Sequence, residues 1–191
     1  MKKVVLDHAF KVKLPITIFV ILGAFAITYF VSRPERDGIG YGPEQPIPFS
    51  HKLHAGEMGI DCQYCHSGVT QSRHANVPAT SVCMNCHVAA KTDSPHIQKL
   101  TKHYEEGTPI QWKRIHKVPD YAYFNHAAHV NKGIDCKNCH GDVAKMEVVE
   151  QVHSFSMGAC LTCHRNPHEN IPYLNAATIE EGPDNCWACH R

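Results

Sequence analysis

The pentapeptide Cys-x-x-Cys-His occurs five times in this chain, at Cys62–His66, Cys83–His87, Cys136–His140, Cys160–His164 and Cys186–His190, and these copies use all ten cysteines. Two thiols three positions apart on a helical turn can each form a thioether to one vinyl group of a haem, and the histidine that follows is carried under the iron as its proximal ligand. Zinc sites also use Cys-x-x-Cys, but as pairs of half-sites, and five half-sites do not pair evenly. A thioredoxin-like dithiol occurs once beside a strand–helix unit. A disulfide framework would not require a histidine after every second cysteine. The spacing therefore predicts five covalently attached haem c groups. Cys62, Cys65, Cys83, Cys86, Cys136, Cys139, Cys160, Cys163, Cys186 and Cys189 are the attachment points, and His66, His87, His140, His164 and His190 the proximal ligands.

Five haems in about 145 residues from Pro46 onward leave on the order of 30 residues for each. Such a chain cannot build a large aliphatic core, so the haem faces themselves must be most of the interior. The 12 glycines and 12 prolines agree with this. The expected fold class is a multihaem cytochrome c, mostly irregular, with short α-helices wrapped round five haems and one N-terminal transmembrane helix. The formal charge of +1 makes no case for nucleic acid, and haem propionates would turn the assembled protein acidic.

The stretch Leu14–Val31 is 18 residues without a charge, long enough to span a bilayer. Lys2, Lys3, Lys11 and Lys13 precede it, and Arg33, Glu35, Arg36 and Asp37 follow. The positive-inside rule places the N-terminus in the cytoplasm and the rest outside. The apolar run exceeds a usual signal-peptide core, and Thr28–Ser32 lacks a small-x-small cleavage pattern, so an uncleaved anchor is expected. Covalent haem attachment on the outer face of the bacterial cytoplasmic membrane fits that orientation. Residues 33–48, with four prolines and three glycines, read as a linker.

An internal repeat follows. Phe49-Ser-His51-Lys-Leu-His54 stands ahead of Cys62, and Phe124-Asn-His126-Ala-Ala-His129 ahead of Cys136; the histidines are offset by 75 residues and the cysteines by 74. The repeat divides the chain into a dihaem half, 49–109, and a trihaem half, 110–191, beyond the anchor segment 1–32. Between them, Ser94 to Gly107 reads as a helix, with Ser94 as N-cap, Pro95 in the first turn, and Gly107 and Pro109 as stops. Ile97, Leu100 and Tyr104 should share its covered face, and His96 and His103 should face solvent or propionates. Trp112 to Phe124 is aromatic and basic, suited to haem edges or to docking.

Phe-x-His-x-x-His ahead of a haem motif resembles the cytochrome c3/c7 class of small multihaem cytochromes. That resemblance implies a distal ligand for each haem. It pairs His51 with His66 and His126 with His140, and sends His54 to the Cys83–His87 haem and His129 to the Cys160–His164 haem. In the c7 pattern a residue shortly before the second-to-last motif ligates the last haem. Met157 holds that place here, with His74, His116, His153, His168 and Met146 as competitors and a gap-filling role against porphyrin as its alternative.

With two protein ligands on each iron, no position is left for a substrate, and the expected chemistry is one-electron transfer. The anchor, Ile-Pro-Phe-Ser-His-Lys-Leu-His-Ala-Gly (47–56), Ser-Arg-His-Ala-Asn-Val-Pro (72–78), Pro-Asp-Tyr-Ala-Tyr-Phe-Asn-His-Ala-Ala-His-Val (119–130) and Ser-Met-Gly-Ala-Cys-Leu-Thr-Cys-His-Arg (156–165) together resemble the pentahaem subunit of bacterial alternative complex III. One expected departure is that any extension beyond the last motif is lacking. The resemblance implies a chain that is not an enzyme on its own but relays electrons within a quinol-oxidising complex. Its implied partners are an iron–sulfur subunit, integral quinol-binding membrane subunits and a monohaem cytochrome c, with a periplasmic cytochrome, copper protein or oxidase as acceptor. Two other readings stay open: a stand-alone membrane-anchored quinol dehydrogenase of nitrate or nitrite respiration, and a multihaem reductase with an open haem.

Overall fold

The computed structural model describes residues 9–32, 37–174 and 181–190, which fall into two compact units, Met1–Asp37 and Gly38–Arg191. Lys2, Lys3 and the flanking residues 33–36 lie outside the described residues.

Residues 9–31 of the first unit form one helix. A π-helical turn, Ala9–Lys13, runs into α1, Leu14–Val31, whose second residue is Pro15. The span Phe10–Val31 is long and apolar enough to cross a membrane. Two hydroxyls at its C-terminal end are self-satisfied: Thr28 donates to the Ala24 carbonyl (2.9 Å) and Ser32, just past the helix, to that of Thr28 (2.8 Å). That back-bonding lets hydroxyls sit in an apolar helix without an unmet donor.

The second unit is a run of short helices joined by irregular chain, and no strand occurs among its described residues. In order they are α2 (Cys62–Cys65), α3 (Thr80–His87), α4 (Pro95–Glu105), α5 (His126–Val130), α6 (Lys137–His140), α7 (Met157–Arg165), α8 (Pro167–Asn170) and α9 (Cys186–Cys189). Every Cys-x-x-Cys-His copy lies on a helix or helical turn. The predicted connecting helix is α4: Ser94 sits in extended backbone before it, and Gly107, at φ 64°, takes the left-handed conformation that ends it. Leu100 is buried and Ile97 half-buried, but Tyr104 is 47 % exposed, so its part of the expected covered face lies open.

The polypeptide's own core is thin. Among the described residues the buried apolar side chains are Ile47, Val69, Leu100, Ile171 and Leu174, and no large side chain is fully enclosed. A unit of this length normally buries far more.

The stretch expected to be a linker is docked from Gly38 onward. The Gly40 amide donates to the Gln151 carbonyl (2.8 Å), and the Gln151 amide to that of Tyr41 (3.1 Å). The Gln45 side chain bonds both backbone groups of Lys113, and Lys99 Nζ donates to the Pro46 carbonyl.

Candidate functional site

Each motif turn is built locally. The His66 amide donates to the Cys62 carbonyl, His140 to Cys136 and His190 to Cys186, at 2.8–2.9 Å, closing one helical turn from first cysteine to histidine. A short polar side chain caps four of the five turns: Asp61 accepts from Gln63 N–H, Asp135 from Lys137, Ser156 from Ala159 and Asn185 from Ala188. All ten thiols are free of disulfides. Burial, first among the causes, raises the thiols of Cys65, Cys83, Cys136, Cys139, Cys160 and Cys163 above the usual cysteine range, which keeps them as neutral thiols.

The imidazoles are oriented by backbone carbonyls. Nδ1 of His66 lies 2.7 Å from the Asn76 carbonyl, His87 3.0 Å from Ala90, His164 2.5 Å from Pro183 and His190 3.1 Å from Tyr121. His54, His126 and His129 likewise meet the carbonyls of Ser50, Arg73 and Asn125, each at 2.8 Å. A carbonyl oxygen only accepts, so in all seven the proton is on Nδ1 and the Nε2 lone pair is free to bind a metal. Burial pulls His51 and His140 down to about 4, with neighbouring imidazoles adding to the effect. Both are therefore held neutral, the form that ligates.

These rings come in facing pairs. Ring centroids of His126 and His140 are 6.3 Å apart with planes within 4°; His54 and His87 are 6.2 Å apart, and His129 and His164 6.1 Å. Two imidazoles on opposite sides of one metal, each bonded at about 2 Å, place their centroids on the order of 6 Å apart. His51 is an electrostatic neighbour of His66, and its buried Nδ1 has no partner. Among the described residues no three His, Cys, Asp or Glu converge on one point, so these pairs lack the third and fourth protein ligands that zinc needs. Paired imidazoles beside free thiols, in a fold with little core of its own, fit haem c.

The two Phe-x-His-x-x-His turns have the same internal geometry. Phe49 stacks on His54 (4.4 Å, 25°) and meets His51 edge-on (4.8 Å, 84°); Phe124 stacks on His129 (4.5 Å, 26°) and meets His126 edge-on (4.8 Å, 89°). The phenylalanine is the wedge that splays the two histidines toward separate sites.

Around the fifth motif the ring beside His190 is Tyr121, 5.7 Å away. Met157 opens α7 and is 66 % exposed. Its competitors are spread out. His116 stands edge-on to His140 at 4.4 Å, and His153 is also an electrostatic neighbour of His140, so both belong to the surroundings of the third motif. His74 is exposed; Met146 and His168 are half-buried. The sequence reading missed Arg73, Asn76, Tyr121 and Pro183, which act through carbonyl oxygens and carry no side-chain signal. It also missed Asp61, Asp135 and Asn185, although an Asp or Asn directly before the first cysteine in three of five motifs was a readable cap signal.

Residues 122–191 match the family described as cytochrome c7 and related cytochrome c. The chain is also similar to the multiheme cytochrome c subunit of menaquinone reductase from Nitratidesulfovibrio vulgaris. The two are 28 % identical over 169 residues, which cover 78 % of this chain and 77 % of that protein. The similarity is to a multihaem cytochrome subunit of a reductase complex, which agrees with a carrier of electrons and not a catalyst acting alone.

Proposed function

We propose that this chain is a membrane-anchored pentahaem cytochrome c that relays electrons within a quinone-linked respiratory complex on the outer face of the bacterial cytoplasmic membrane. The observation that carries the reading is the set of three facing histidine pairs at 6.1–6.3 Å, two of which join a distal histidine from one motif's approach to the proximal histidine of the next. Bound haem c supplies a one-electron iron couple. The paired histidines would hold the group between two imidazole Nε2 donors and leave no position there for a substrate. His51, His54, His126 and His129 serve as distal ligands. Met157 is assigned to the fifth site. Cys160, one helical turn beyond Met157, has Cys189 as an electrostatic neighbour, which supports placing this end of α7 beside the last motif. The helix Phe10–Val31 serves as the anchor, with the N-terminus cytoplasmic.

The finer assignment is to an assembly of the alternative complex III type, with an iron–sulfur subunit, integral quinol-binding subunits and a monohaem cytochrome c as partners. It is supported by the sequence pattern along most of the chain. A second reading has its own support: the relative is named a menaquinone reductase subunit, so the same relay can run toward the quinone. Ligation does not set the direction; the potentials of the partners do.

The test is gentle detergent extraction followed by mass spectrometry of whatever travels with the chain. An iron–sulfur subunit and polytopic membrane subunits are expected. Isolation of the chain alone, with quinol oxidation retained, would contradict the relay and favour a stand-alone quinol dehydrogenase.

A further inference from the structure

The order of the motifs in space is not their order in the chain. The first and second motifs touch through their variable residues, Asn85 Nδ2 donating to the Tyr64 hydroxyl at 3.0 Å, and His54 from the approach to the first motif faces His87 of the second. The first and third motifs share one loop. The segment after Cys65 offers its Asn76 carbonyl to His66 and its Arg73 carbonyl to His126, the ring that faces His140. Backbone bonds from Ala127 to Ser72 and a side-chain bond from Asn131 to Thr70 extend that contact. The Cys62 thiol is also an electrostatic neighbour of Cys136. The third and fourth motifs are joined by His129 facing His164. The fourth and fifth are joined where the chain leading into Cys186 closes on His164: the Pro183 carbonyl holds its Nδ1, the Gly182 amide donates to its carbonyl at 2.7 Å, and Arg165 pairs with Asp184.

We infer that the five motifs form one line in the order second, first, third, fourth, fifth, so that the Cys83–His87 and Cys186–His190 sites are its two ends, where electrons come in and leave. The clause about electrons rests on the proposed relay; the order does not. A repeat of the Phe-x-His-x-x-His unit explains the arrangement. Each copy sends its second histidine outward to the next motif in sequence and packs its first-histidine side against the other copy, so the two halves join at the first and third motifs. The second motif is thereby left as an outer branch of the first half. One electron taken up at one end and one delivered at the other would return every iron to its starting state, so partners at the two ends would give and take electrons one at a time. Both ends are open to such partners: Val88, directly after His87, is 69 % exposed, and Trp187, between the last two cysteines, 79 %.

The deciding experiment is a high-resolution cryo-electron microscopy map of the detergent-extracted holoprotein with whatever co-purifies. The haem on Cys62 and Cys65 should have two haem neighbours, those on Cys83/Cys86 and on Cys136/Cys139, and partner redox centres should lie nearest the second and fifth sites. A second-site haem lying between the first and third would overturn the order. A partner centre nearest the third site would overturn the assignment of the ends. If the chain purifies alone, the relay reading fails while the same map still reads the order.

Discussion

A neutral imidazole binds iron only through the nitrogen that does not carry its proton, and most of the histidines assigned here have that choice made for them. Carbonyls take the Nδ1 proton of His54, His66, His87, His126, His129, His164 and His190. His51 departs from the pattern, with a buried Nδ1 that lacks a partner, and it is kept neutral by burial. The pairing makes a prediction about counts. His51→Ala and His54→Ala should each turn one haem high-spin in the electron paramagnetic resonance spectrum of the oxidised protein, and the double variant should turn two. If the double variant converts only one, both histidines serve the same iron and the crossed pairing is wrong. In the same series Met157→Ala should remove the highest-potential step of a redox titration, because a thioether raises the potential over bis-histidine. Five unchanged steps would mean that Met157 is not a ligand.

Elements were legible in the sequence where their cause is local. The motif turns follow from spacing and caps, α4 from Pro95 at its start and Gly107 at its end, and the Phe-x-His-x-x-His repeat reappears as two closely similar ring geometries. What the sequence did not show is what holds these elements together. The Arg73 carbonyl reaches His126 across 53 residues and the Tyr121 carbonyl reaches His190 across 69. Backbone acceptors at such separations leave no residue-type signature. The role of Phe49 and Phe124 as wedges was missed for a related reason: an aromatic beside a histidine is too common to read without the ring geometry. Gly182 is a further case. A Cβ there would stand 2.7 Å from Cγ of His164, so the segment leading to the fifth motif can close on the fourth only through glycine. Gly182→Ala should push the His164 ring from its Pro183 carbonyl, destabilise the fold by about 1–3 kcal/mol, and shift the spectrum of one haem. Thermal unfolding and electron paramagnetic resonance check this together. An unchanged haem spectrum would contradict the positioning role.

At the largest scale, the described polypeptide of the second unit buries little of itself. Its described apolar core is five residues scattered between Ile47 and Leu174, which cannot offset the ordering entropy of a unit of this size. Composition announced that much, since a chain with ten cysteines in five motifs and no long apolar period after Val31 has little else to bury. It did not announce that the stretch from Gly38 would be docked, because proline- and glycine-rich chain reads as a linker whether or not it finds a surface. Nor could it give the spatial order of the motifs, which depends on how two repeats meet. All of these conclusions require that every motif carries its haem. The direct test is the intact mass of the chain purified under denaturing conditions from its native host, where only covalent groups remain. The account predicts the mass of the polypeptide plus five haems; a mass corresponding to fewer, or to the bare chain, would contradict it.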